Sequence, residues 1–73
     1  MTPDEIRDAR ARLGALWGLG RPLKMAELGR ALRFKSRDPG NLVADWESGK
    51  REVSGPVSVA IEEMLAGFRP ADQ

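Results

Sequence analysis

Glycine and proline interrupt this chain so often that no regular element can run much beyond about fifteen residues. The breaks fall at Gly18, Gly20 and Pro22, at Pro39 and Gly40, at Gly49, at Gly55 and Pro56, and at Gly67 and Pro70. Between them the apolar residues recur at helical spacing, and no segment alternates with the two-residue period of a strand. The expectation is an all-α domain of short helices held together by packing, because helices this short are marginal alone.

The first helix is announced by Thr2-Pro3-Asp4-Glu5. Thr2 can cap with its hydroxyl, Pro3 suits the first helical position, and Glu5 can bond back to the cap. Ile6, Ala9, Leu13, Leu16 and Trp17 then predict one apolar stripe, interrupted by Gly14. A second helix is expected from Leu23 or Lys24 to about Arg33, with Leu28 and Leu32 facing inward. Gly29 lies between them, where alanine would favour the helix by up to about 1 kcal/mol; close approach of another backbone is a reason to accept that loss. Asp38 before Pro39 reads as a third helix start, running to Glu47 or Ser48 and closed by a left-handed Gly49. Leu42, Val43 and Trp46 share a face of it. After Ser54-Gly55-Pro56, the positions Val57, Ala60, Ile61, Met64, Leu65 and Phe68 give the clearest helical period in the chain. Residues 70–73 read as a loose tail.

A chain of 73 residues is one domain with a modest core, so all of 1–73 is read as a single unit. Hydrophobic residues at 41% and charged residues at 32% are a folded rather than a disordered balance. The absence of cysteine rules out disulfides and thiolate metal sites. With no His, Cys or Tyr the usual nucleophile–base pairs are missing, and the carboxylates show no evident partner, so no enzyme, cofactor or metal is expected. Asp4, Glu5, Arg7 and Asp8 occupy the place where a secretion signal needs an apolar run, and no stretch is long enough to span a bilayer; the expected location is cytoplasmic. The net charge of +1 conceals an uneven distribution. Arg30, Arg33, Lys35, Arg37, Lys50 and Arg51 make the middle third basic, whereas Glu52, Glu62, Glu63 and Asp72 make the end acidic. A local basic zone suits a polyanion, since each neutralised phosphate releases counterions.

Two short helices joined by a polar turn, the second running into Trp46-Glu47-Ser48-Gly49-Lys50-Arg51, give the sequence a recognisable likeness. It resembles the lambda repressor/Cro-like helix-turn-helix family of transcriptional regulators. The resemblance rests on Ala26-Glu27-Leu28-Gly29 and Leu32 in the first motif helix and on Val43 to Arg51 in the second. The Leu13-Gly14 or Leu19-Gly20 pattern near the end of the first helix adds to it, and it covers most of residues 3–66. The connection between Leu32 and Trp46 is about four residues longer than is common in that family, the extra ones lying around Lys35 to Pro39. What the resemblance implies is a compact four- to five-helix lambda-repressor-like domain. It also implies a repressor-like, sequence-specific DNA-binding regulator of a phage or mobile element, bound to the bacterial nucleoid as a homodimer on a palindromic operator.

On that reading the helix at about 39–48 enters the major groove, anchored from below by Val43 and Trp46. Gly40, Asn41, Ala44 and Asp45 would face the bases. Asn41 can pair bidentately with adenine, Ala44 can touch a thymine methyl, Asp45 can accept from cytosine N4, and Gly40 permits close backbone approach. Lys24, Lys35, Ser36, Arg37, Lys50 and Arg51 are the candidates for phosphate contact. Each has a plainer reading. Trp46 belongs to the core rather than to base stacking. Asn41 could serve the local backbone, and Asp45 could pair with a Lys or Arg on its own surface, which is the preferred reading for it. The last helix closes the monomer core or forms a dimer seam. A competing function is a small helical protein-interaction module, such as an antitoxin or phage accessory protein, that does not read DNA.

Overall fold

The computed structural model describes residues 1–34 and 37–69. Within them the chain forms four helices and no strand: α1 (Pro3–Leu16), α2 (Met25–Ala31), α3 (Gly40–Ser48) and α4 (Gly55–Leu65). The expected tail at 70–73 lies outside the described residues. Helix α3 packs on both α1 and α2, and α4 closes against α1.

The start of α1 follows the sequence closely. The Thr2 amide donates to Glu5 Oε1 at 2.8 Å, and the Glu5 amide donates to Thr2 Oγ1 at 3.2 Å. The Thr2 amide, followed by the Thr2 hydroxyl, holds the Glu5 carboxyl below its ordinary pKa. Ile6, Ala9 and Leu13 are buried as expected, but Leu16 is exposed; Trp17 takes the next inward position and packs against the core instead. Gly14 is a requirement of the fold rather than an interruption. A methyl group there would fall on the Arg21 carbonyl, since the chain doubles back after α1 and lies directly on the helix.

Helix α2 is shorter than expected at both ends. Leu23 is buried, but in an extended connection, with its amide donating to the Arg10 carbonyl at 3.0 Å and its carbonyl accepting from Arg10 Nη1 at 2.9 Å. Lys24 remains extended. At the far end Arg33 adopts a left-handed conformation, φ 67°, which stops the helix after Ala31. The Arg33 amide reaches the Arg30 carbonyl and the Phe34 amide reaches the Gly29 carbonyl, the paired bonds of a left-handed helix cap. Nothing in the residue type announces this, because such positions usually carry glycine. Helix α3 closes in the same way, on the expected Gly49 at φ 82°, with the Lys50 amide bonded to the Asp45 carbonyl at 2.9 Å. Its start is offset by one residue from expectation: Pro39 is the cap residue rather than the first helical one, and Asp38, one place further out, accepts from the Gly40 amide at 3.2 Å without being the cap.

Ile6, Leu13, Leu23, Leu28, Val43 and Ile61 form the fully buried centre, with Trp46 and Met64 beside them. The Phe34 ring meets Trp46 edge-on at 5.7 Å, which confirms Trp46 as core. In α4, Ile61 and Met64 are buried, Val57, Ala60 and Leu65 half-buried, and Phe68 lies past the helix end and exposed.

One carboxylate departs from the surface setting expected of all of them. Glu47 is buried, and its two oxygens accept from Arg10 Nε and Nη2 at 2.5 and 2.7 Å. Arg7 adds a contact to the Glu47 carbonyl at 3.2 Å, and Arg10 also holds the Leu23 carbonyl. Among the described residues no buried side-chain polar atom lacks a partner. Removing one member of such a pair leaves an uncompensated buried charge, whereas replacing both by apolar groups does not. Glu47→Ala is therefore expected to cost about 3–5 kcal/mol, and the double change Arg10→Met with Glu47→Leu far less. Urea denaturation of the two variants beside the wild type measures the difference; equal losses would mean that the pair is solvated.

Candidate nucleic-acid interface

The surface presented by α3 is set by how closely α2 can approach it. Gly29 faces the Pro39 backbone so tightly that a Cβ would lie 2.8 Å from the Pro39 carbonyl carbon, with the oxygen nearer still. The close approach expected of Gly29 is thus made to the residue that precedes α3. Gly40 completes the contact, since a Cβ there would lie 3.1 Å from the Ala26 amide nitrogen. The missing side chain of Gly40 therefore serves helix packing, and this residue faces α2 rather than the outer side of α3.

With Val43, Trp46 and Glu47 turned inward, the residues left on the outer side of α3 are Asn41, Ala44, Asp45 and Ser48. Their spacing of three and four places them in one stripe. Asn41 and Ser48 are exposed, and Ala44 and Asp45 half-buried. Three of the four expected base-facing residues are thus brought together, and Ser48 is an addition that the helical period could have supplied. The Ser48 hydroxyl donates to the Asp45 carbonyl at 3.2 Å. The Asp45 carboxylate is paired, with Oδ2 at 3.3 Å from Arg51 Nε, in agreement with the preferred reading of that residue.

The cations fall at the two ends of this stripe. Lys24 is exposed immediately before α2, whose Ala26 touches Gly40 at the start of α3. Arg37 is exposed three residues before that start. Lys50 and Arg51 are exposed just beyond the other end, where they also suit the negative pole of the helix. Lys35 and Ser36, the remaining candidates, lie outside the described residues. No group of three or more His, Cys, Asp or Glu residues able to hold a metal occurs among the described residues. No described helix is long and apolar enough to cross a membrane.

An ion pair fixes the Lys24 end. Arg21 Nη1 and Nη2 lie 2.8 and 3.0 Å from the two oxygens of Glu27, and the Lys24 amide donates to the same carboxylate at 2.7 Å. Led by the Arg21 hydrogen bond, these contacts lower the Glu27 pKa from its ordinary 4.5 to about 2. A carboxylate depressed on folding stabilises the native state above its unfolded pKa and loses that contribution as pH falls through its folded one.

Compared with known proteins, the chain matches no protein-family model, no curated protein and no solved structure at a significant level.

Acidification should accordingly weaken the start of α2. Between pH 4.5 and about 2 the stability of the wild type is expected to fall toward that of Glu27→Gln. Thermal melts of both proteins across that interval test this, and a constant gap down to pH 2 would contradict it.

Proposed function

We propose that this protein is a sequence-specific, DNA-binding transcriptional regulator in which α2 and α3 form a helix-turn-helix and α3 enters the major groove. The observation that carries the reading is the open stripe of Asn41, Ala44, Asp45 and Ser48, held on a rigid helix pair with exposed cations beyond both of its ends. A groove-reading helix needs both features: short polar side chains that reach base edges, and positive charge where the backbone passes. Asn41 reads adenine, Ala44 meets a thymine methyl and Asp45 accepts from an exocyclic amino group. Lys24, Arg37, Lys50 and Arg51 fix the register on phosphates, and Lys35 and Ser36 join them on sequence grounds. The likeness to the lambda repressor/Cro-like family supports the same reading.

The test is selection of binding sites from random duplexes, followed by titration of variants on the selected site. Asn41→Ala is expected to change the preferred sequence. Lys50→Ala with Arg51→Ala should weaken binding to all duplexes and, on the selected site, flatten the slope of log K against log salt by up to about 1.8, for two phosphate contacts. Equal loss on every duplex for Asn41→Ala would remove it from the reading set.

The regulator acts as a twofold dimer, through the face where α4 meets the end of α2. Phe68 is 61% exposed there, beside a groove walled by Ala31, Leu32, Ala60 and Met64. A second copy turned through a twofold axis would lay its own Phe68 in this groove, and the groove would take the first copy's Phe68 in return. Sedimentation equilibrium should show dimers for the wild type and monomers for Phe68→Glu at unchanged helix content. A wild type that stays monomeric at high micromolar concentration would argue against this seam.

A further inference from the structure

Asp45 is the only acid on the outer stripe of α3, and its position is unfavourable for a helix that approaches phosphates. It is also where the following loop is fastened. The Lys50 and Arg51 amides donate to the Asp45 carbonyl at 2.9 and 3.2 Å, which folds residues 49–51 back over it. The Arg51 guanidinium then lies against the carboxylate, with 28% of the Asp45 side chain and 64% of the Arg51 side chain still exposed. A pair this open is not a device for stability, because exposed ion pairs contribute little.

We infer that Asp45 and Arg51 form a latch that ties one phosphate contact to the identity of one base. The inference rests on the DNA reading above and deepens it. Where the base facing Asp45 offers only acceptors, Arg51 must stay on the carboxylate to offset its repulsion, and it is withheld from the backbone. Where the base offers an exocyclic amino group, as cytosine does at N4, that N–H donates to Asp45 and Arg51 turns to a phosphate. The wrong base thus loses both a hydrogen bond and a charge contact. Specificity gained through a repulsive element weakens non-specific binding as well as favouring the correct site.

The experiment compares wild type, Asp45→Asn, Asp45→Ser, Arg51→Ala and the Asp45→Asn/Arg51→Ala double variant, with fold checked by circular dichroism. Fluorescence anisotropy is measured over a range of salt. The duplexes are the selected site, the same site altered only at the base pair facing Asp45, and an unrelated sequence. Freeing Arg51 by Asp45→Asn should tighten the unrelated duplex about tenfold at low salt and steepen its salt slope by about 0.9, for one more phosphate. The same change should cut discrimination at the one base pair by about 5- to 100-fold. Arg51→Ala should lower affinity for the selected site but leave the unrelated duplex nearly unchanged, and in the double variant the gain on the unrelated duplex should vanish. Wild-type binding in which Asp45→Asn and Asp45→Ser leave both slope and base preference untouched overturns the latch alone. A wild type that binds no duplex at low salt overturns the DNA reading and the latch together.

Discussion

The buried pair of Arg10 and Glu47 determines where everything else sits. A carboxylate taken out of water must be met on both oxygens, and the fork of a guanidinium does that in one rigid geometry. Because Arg10 is on α1 and Glu47 on α3, the pair fixes the rotation of α3 about its own axis. Arg10 also holds the Leu23 carbonyl, which brings the connection ahead of α2 into the same cluster. A core built from so few side chains leaves many nearly equivalent packings, and a directional contact among them selects one.

The rotation fixed by Glu47 decides which side of α3 meets solvent. Val43 and Trp46 lie on its inward side, so Asn41, Ala44, Asp45 and Ser48 are left outward. The second constraint is translational. Gly29 and Gly40 allow the α2 and Pro39 backbones to meet without side chains between them. The small separation brings Ala26, in the first turn of α2, to the start of α3. The outer surface of α3 is therefore a by-product of two packing requirements, one electrostatic and one steric.

The same economy applies to the helix ends. α1, α2 and α3 each stop in a left-handed residue, with an amide beyond it reaching back to a carbonyl of the last turn. At α3 this cap carries Lys50 and Arg51 directly over Asp45, so the device that terminates the helix also places its cations. At α2 it brings Phe34 back toward Trp46, extending the core past the helix. Loop geometry and site electrostatics thus arise from the same few backbone bonds.

Local signals in the sequence determined the elements: the capping box at Thr2 and Glu5, the left-handed glycine after α3, the period of α4, and the small residue at position 29 that implied a close neighbour. These were legible because each depends on residues within one or two helical turns. Arg10 and Glu47 were legible in principle, since each lies four residues beyond an apolar position of its own stripe, Ile6 and Val43, yet a charge at that spacing reads equally as the edge of a solvated face. Only the tertiary structure decided between them, because burial is a property of what lies opposite. The same holds for Gly14, Gly40, Leu16 and the αL turn at Arg33. Each answers to a neighbour distant in sequence or to a competition that composition does not record, and so does the outward side of α3 on which the proposed function depends.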